Sequence, residues 1–284
     1  YRDKRRPDSV SWSKNLSDDL ARRDFTINAL AYLPAEAGAK AGDDEKGELI
    51  DMHGGQGDLK GKLVRAVGDP DERFAEDALR MMRAARIATD LDFRIDPATE
   101  AAIVKHATHL KEISAERIRD EFSRIIMSPR PMRGVVLLHT LSLLRYIAPE
   151  IAEGINVKQN GDHIYDVWEH NLRALKYATE KKYSFEVRLA SLLHDVAKPR
   201  TKRGEGKHST FYGHEVVGAK MTAEILERLK FSKKQIEKIT DLVRWHLFYY
   251  NVGEVTESSV RRLLARLGKD GMDELIKVRE ADRI

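Results

Sequence analysis

The stretch "RFAEDALRMMRAARIA", residues 73–88, sets an acid at Asp77 and arginines at Arg80, Arg83 and Arg86, each three residues on. Apolar residues fill the gaps, and no Gly or Pro interrupts them, so the spacing predicts one helix carrying an acid and three fixed cations. A carboxylate only accepts hydrogen bonds and a guanidinium only donates them. Cytosine and adenine each show an amino donor beside a ring-nitrogen acceptor, so a single Asp–Arg pair complements either base edge. Uracil and guanine set a carbonyl beside a ring N–H and leave polar groups unpaired, at about 1–3 kcal/mol each. The bland reading is a solvated Arg-rich helix with weak i,i+3 ion pairs. A second concentration of chemistry lies downstream, where six of the ten histidines fall between residues 163 and 246. His170 sits in "DVWEHNLRALKYA", His194 and Asp195 in "LASLLHDVAKPRT", and His214, His246 and Asp282 follow on further helical stretches. A lone His–Asp pair is more often a capped or buried helix-end histidine.

The elements that must position these residues read as mainly helical. The chain has 284 residues, 34% of them charged and 42% hydrophobic, which describes a charge-rich globular protein large enough for two or more domains. Its net charge of +4 agrees with an anionic partner without requiring one. With no cysteine, disulfides and thiolate metal sites are excluded and a reducing compartment is allowed; the chain is read as cytoplasmic. No apolar run reaches the roughly 20 residues of a membrane helix. In the first seventy residues β-prone runs ("SVSW", "ALAYL", "ELIDM", "KLVRAV") alternate with turn-rich pieces such as "AGAKAGDDEKG" and "HGGQG", the latter read as a plain turn. From residue 71 helices are expected at 71–90, 97–107, 114–127, 131–145, 165–180, 186–197, 213–230, 232–247, 256–267 and 270–283. The polar stretch 152–162 is expected to separate two helical domains. Asp18 and Asp19 of "DDL" sit just before a helix and are expected as N-caps.

The ladder does not stand alone. "DLARRDFTINALAY" (19–32) and "ELIDMHGGQGDLKGKLVRAVGDPDERF" (48–74) precede it, and "ISAERIRDEFSRII" (113–126) follows. This ordered set resembles the class II tRNA nucleotidyltransferases, the CCA-adding enzymes and bacterial poly(A) polymerases, over residues 1 to about 148. The resemblance implies that Arg23 and Asp24 contact ribose and phosphate, and that Asp77 and Arg80 read the base. Arg83 and Arg86 would line the path to the triphosphate, and Asp51 and Gly55 would form a hinge between head and neck. Glu116 and Glu121 of the neck motif are expected to be structural. The family's catalytic carboxylate pair lies upstream of "RRDFT", so it is expected before Tyr1, and "YRDKRRPDSV" resembles the end of the family's flexible loop.

The histidine-rich half resembles the HD-domain phosphohydrolases. That resemblance implies a divalent metal on His170, His194, Asp195 and Asp282. His214 and His246 would be ligands of a second metal or phosphate contacts. Imidazole plus carboxylate suits Ni, Mn, Co or Zn, or Mg2+ with water completing the shell. The basic loop "KPRTKRGEGKH" is either solvated or a phosphate or RNA clamp. Trp168 and Trp245 are read as core, and "YYNV" (249–252) as packing or base-stacking residues.

The combined expectation is a mainly α chain. The C-terminal part of a small α/β nucleotidyltransferase head (1–70) is followed by a helical, nucleotide-selecting and RNA-binding neck and body (71–150) and by an all-α HD domain (151–284). The resemblance implies template-independent addition of C and A to tRNA 3′ ends, from CTP and ATP with Mg2+ as cofactor. It further implies contacts to the tRNA 3′ end and elbow, no membrane partner, and phosphohydrolase chemistry in the HD domain. Addition of A alone, of CC alone, an idle head with a working HD domain, or RNA binding without catalysis are the alternatives.

Overall fold

The computed structural model describes residues 15–34, 47–159, 164–205, 208–248 and 256–283. The expectations for "YRDKRRPDSV", "SVSW" and "YYNV", and for nearly all of "AGAKAGDDEKG", lie outside them. The chain divides into two compact units, Tyr1–Ser114 and Ala115–Ile284.

The first unit opens with α1 (Leu16–Ala21) and a 3-10 turn, Thr26–Asn28. Strands β1 (Leu30–Leu33) and β2 (Glu48–Asp51) pair antiparallel in the register Leu30↔Asp51 to Leu33↔Glu48. Then come α2 (Gly55–Gly61), β3 (Leu63–Val64), α3 (Pro70–Glu76), α4 (Leu79–Leu91), β4 (Arg94–Ile95) and α5 (Pro97–His106). β3 and β4 lie parallel, Leu63 opposite Arg94. The expected cap of α1 is corrected here. Asn15 holds the N-cap position, while Asp18 and Asp19 sit in the first turn, where carboxylates favour the positive end of the helix dipole.

The "HGGQG" stretch is a turn only at its start. Three glycines weaken α2, yet it is helical because Asp51 accepts the N–H groups of Gly55 (2.8 Å) and Gln56 (2.9 Å), two of its orphan donors. Those bonds, the Gln56 one first, hold the Asp51 carboxyl below its usual range. Gly55 lies against the Thr26 carbonyl, where a Cβ would collide.

The second unit is all helical: α6 (Ala115–Met127), α7 (Pro131–Thr140), α8 (Leu144–Ile147), α9 (Val167–Glu180), α10 (Phe185–Leu193), α11 (Lys198–Thr201), α12 (His214–Arg228), α13 (Lys233–Trp245) and α14 (Glu257–Asp282). The single helix expected at 131–145 divides because Ser142 takes a left-handed backbone (φ 59°), and the join expected between 267 and 270 is a kink at Gly268. α10 is the central rod. Every residue from Val187 to Leu193 is buried, and it packs against α6, α9, α13 and α14. Arg188 is the one cation on that rod. Its guanidinium donates to the Tyr183, Ile126 and Ser128 carbonyls, and burial pulls its pKa below the usual value. Segment 152–159 packs inside this unit, with Gly154 against Val167 and Trp168.

Candidate functional site

The ladder is not one helix. The chain leaves α3 at Asp77, which is extended (φ −148°, ψ 101°), and α4 starts afresh at Leu79. The physical reason is Asp77 itself. Its Oδ1 accepts the Leu79 N–H at 3.1 Å and satisfies an orphan donor of the new helix. The base-reading pair of the family resemblance therefore straddles a helix start rather than sharing a helical face.

The three arginines do different things. Arg80 is largely buried, and its guanidinium donates to Glu76 (2.8 Å) and to the carbonyls of Arg73 and Arg22. Arg83 reaches across 59 residues to Asp24, with Nε and Nη2 at 2.7 and 2.6 Å from Oδ2. Asp24 is buried, and its other oxygen accepts the Phe25 N–H and the Asn28 amide. Arg86 pairs with Asp90 one turn on, at 3.3 Å. Arg23 turns to Asp19. The fold thus joins Asp24 to Arg83, while Arg23 and Arg86 engage local neighbours. The opposite face of α4 (Leu79, Met81, Met82, Ala85) is core, which holds the arginine side in place. One further network has no local signal in the sequence: Arg65 bridges Asp58 (3.1 Å) and Asp96 (3.0 Å) while Thr26 donates to Asp58. Its members run from Thr26 to Asp96, beyond any local pattern.

In the second unit five helix ends converge. His170 projects from α9, His194 caps the C-terminus of α10 with Asp195 next, His214 begins α12, His246 caps α13, and Asp282 ends α14. His170 Nε2 lies 3.1 Å from His194 Nε2 and 3.3 Å from Asp282 Oδ1, and His194 Nε2 lies 3.1 Å from the same oxygen. Asp195 Oδ2 is 3.5 and 3.4 Å from those two imidazoles, while Oδ1 faces His214 (3.1 Å) and His246 (3.7 Å). Each carboxylate oxygen of Asp195 therefore addresses a different histidine pair.

The donor set fits a metal ion. The candidate ligand atoms of His170, His194, Asp195 and Asp282 lie within 4.8 Å of one another, as do those of Asp195, His214 and His246. Neither oxygen of the fully buried Asp195 has a well-aligned hydrogen bond, although Lys198 Nζ approaches Oδ2 to 2.6 Å. His194, His214 and His246 direct Nδ1 at the carbonyls of Ser191, Phe211 and Val243, at 2.7–2.8 Å, which leaves Nε2 for the centre. Arg279 orients Asp282 through its other oxygen at 2.6 Å. Without a cation the centre is a tight charge cluster. Burial opposes a charged His194, but Asp195 and Asp282 outweigh it and lift this imidazole to about 10. Burial also opposes both carboxylates, yet His194 and Lys198 hold Asp195, and His170 and His194 hold Asp282, below the usual range. Burial pushes His246 down. Lys198 is a residue the sequence reading placed only in the basic loop. In that loop Arg200 binds Glu153, and Lys202 donates to the Lys158 carbonyl. The core reading of the tryptophans is corrected: both are only half-buried, with Trp168 beside His139 and Trp245 beside Arg244, since each lies on a helix face that reaches solvent.

A first unit built around the Asp24–Arg83 contact and an all-helical second unit around a histidine–carboxylate cluster agree with what comparison with known proteins finds. Residues 1–65 match the poly(A) polymerase head domain, 92–155 the probable RNA- and SrmB-binding site of polymerase A, and 167–284 the HD domain. The chain belongs to the class II tRNA nucleotidyltransferase family and carries its HD domain. It is 36% identical to an A-adding tRNA nucleotidyltransferase of Deinococcus radiodurans, over 97% of this chain and 62% of that protein. It is 32% identical to a CC-adding tRNA nucleotidyltransferase of Thermus thermophilus, over 95% and 60%. The crystal structure of the Bacillus stearothermophilus CCA-adding enzyme in complex with CTP matches with a TM-score of 0.67 at 27% identity, over 96% of this chain and 57% of that one. The chain thus spans about three fifths of the length of these relatives. No helix among the described residues is long and apolar enough to cross a membrane.

Proposed function

We propose that the protein to which this chain belongs adds nucleotides to the 3′ end of tRNA without a nucleic-acid template, drawing on CTP and ATP with Mg2+ in the cytoplasm. The observation that carries this reading is the pairing of Asp24 with Arg83, which ties the "RRDFT" motif to the helix that follows Asp77. In this reading Arg23 and Asp24 receive ribose and phosphate, and Arg83 and Arg86 receive the triphosphate. Asp77 and Arg80 offer one acceptor and one donor to a cytosine or adenine edge. Both are engaged in the free chain, Asp77 on the Leu79 N–H and Arg80 on Glu76, so a bound base exchanges one set of bonds for another. Asp51 and Gly55 serve as the hinge, and the helical body receives the tRNA elbow with an affinity that falls as salt rises. We take addition of all three nucleotides as the main reading. The test is extension of tRNAs ending in no C, one C or CC by the full-length protein. Growth of all three to CCA supports it, and growth of only the last, or only to CC, replaces it with A-addition or CC-addition.

The HD centre supports a second reading, metal-dependent hydrolysis of phosphate esters at RNA ends. His170, His194, Asp195 and Asp282 would hold one divalent ion, Ni, Mn, Co, Zn or Mg2+, with His214 and His246 sharing Asp195 towards a second ion or a phosphate. Such an ion supplies a more acidic bound water and polarises the phosphoryl oxygen. The chain's own part is to leave Nε2 of His194, His214 and His246 for the centre by engaging Nδ1, to fix Asp282 through Arg279, and to keep Lys198 beside Asp195. Release of phosphate from RNA 3′ ends that depends on added metal and on Asp195 supports this reading.

A further inference from the structure

Outside the metal centre, the second unit holds a cavity of about 740 Å3 between the end of α13, the start of α14 and the first turn of α12. That volume lies in the range of small-ligand sites. Its cationic wall is Arg244, Arg262 and Arg266, faced by a single carboxylate, Glu215. Arg266 is committed to Asp241 at 2.7 Å, and Arg244 meets Glu215 only at 3.7 Å. Arg262 is exposed and makes no hydrogen bond or ion pair among the described residues. The opposite wall is apolar: Leu247, Phe248 and Leu263. Two guanidiniums approach Trp245, at 4.7 and 5.9 Å from the ring centre, so the indole anchors the cations. Phe248 lines the cavity and stacks on no other ring among the described residues.

We propose that this cavity binds one nucleotide of a single-stranded RNA, the base against Phe248 and Leu263 and the phosphate on Arg244 and Arg262. An apolar floor beside surplus guanidiniums matches a ligand with one flat face and one anionic end, as a nucleotide has. Position argues for RNA in particular. Glu215 follows His214, and Trp245 and Leu247 flank His246, so the cavity and the metal centre share the ends of α12 and α13. A strand whose terminal phosphate reaches that centre has a nucleotide nearby to place. The inference rests on the RNA-end phosphohydrolase reading and adds its substrate class, a strand rather than a free mononucleotide.

The experiment uses the full-length protein with every tryptophan except Trp245, Trp12 and Trp168 among them, replaced by Phe, so that Trp245 reports alone. A five-nucleotide single-stranded RNA is titrated while its emission is followed, with heparin as a polyanion without bases. The expected result is a saturable change with RNA, weakened roughly tenfold by Arg262→Gln, with the salt slope reduced by about one. Phe248→Ala is expected to weaken RNA binding and leave heparin binding unchanged. No emission change, as when another part of the protein fills the cavity, overturns the proposal. So does unaltered RNA binding by Arg262→Gln, or equal response of RNA and heparin to Phe248→Ala. Metal-dependent release of phosphate from the same five-nucleotide RNA carrying a 3′-terminal phosphate, by the unsubstituted protein, is read separately. RNA binding at the cavity without that hydrolysis supports the site while removing the phosphohydrolase reading.

Discussion

The proposed nucleotide site depends on the contact between Asp24 and Arg83, whose strength follows from its surroundings. Asp24 is 9% exposed, whereas the Arg83 side chain is 35% exposed, so solvent screens one partner and not the other. Two guanidinium donors on one carboxylate oxygen make a charge-assisted contact worth about 1.5–3 kcal/mol when desolvated. The exposure of Arg83, and the Phe25 and Asn28 donors that Asp24 would keep, reduce this to about 1–2 kcal/mol. Arg83→Met keeps the aliphatic stem and removes the charge, while Asp24→Asn keeps an acceptor for Phe25. A double-mutant cycle on the two, read by chemical denaturation, is expected to give a coupling of about 1–2 kcal/mol. In the extension assay Arg83→Met is expected to raise KM for both CTP and ATP, because Asp24 loses its fixed position. A coupling below about 0.3 kcal/mol would refute the reasoning and reduce the pair to an incidental surface contact.

Three further outcomes follow from other parts of the chain. Asp195→Asn is expected to abolish binding of Mn2+ or Ni2+ in calorimetry, and with it the roughly 2.7 kcal/mol of stabilisation that a ligand at a hundred times its Kd confers; binding equal to the parent's would place the metal elsewhere. Asp77→Ala removes both the base-facing acceptor and the cap on Leu79, so it is expected to relax C and A preference over U and G by about 1–3 kcal/mol and to lower stability by about 1 kcal/mol. Asp77→Asn retains the cap, so selectivity should shift without that loss; competition between nucleotide pairs and urea melts separate the two effects. Gly55→Ala sets a methyl against the Thr26 carbonyl and is expected to cost about 1–3 kcal/mol in urea unfolding, whereas Gly57→Ala meets open space and should stabilise α2 by about 0.5–1 kcal/mol.

Much of this molecule was legible before folding. Apolar periodicity located the helices that carry His170, His194, His214 and His246, because burying one face is a demand that repeats every turn and so is written locally. The helix expected at 186–197 is present as α10, Phe185–Leu193, but its burial on all sides came only with the fold. Gly268 marked the break in the last helix. The chemical types of the histidine–carboxylate cluster were legible as residues, although a lone His–Asp pair read as a helix-end histidine just as well.

What the tertiary structure alone decided is which partner each polar group takes. An arginine ladder written at a spacing of three divided: Arg80 and Arg83 reach back 58 and 59 residues to Arg22 and Asp24, while Arg86 pairs one turn away with Asp90. An acid expected within the helix instead ended one helix and began the next. Asp195 was named as a ligand by its neighbour in sequence. Its service to two histidine pairs, one through each oxygen, arises only when α9, α10, α12, α13 and α14 bring their ends together. Backbone periodicity is a property of adjacent residues. Ion pairing and ligation are set by distance in space, and a carboxylate takes whichever donor the packed core delivers to it.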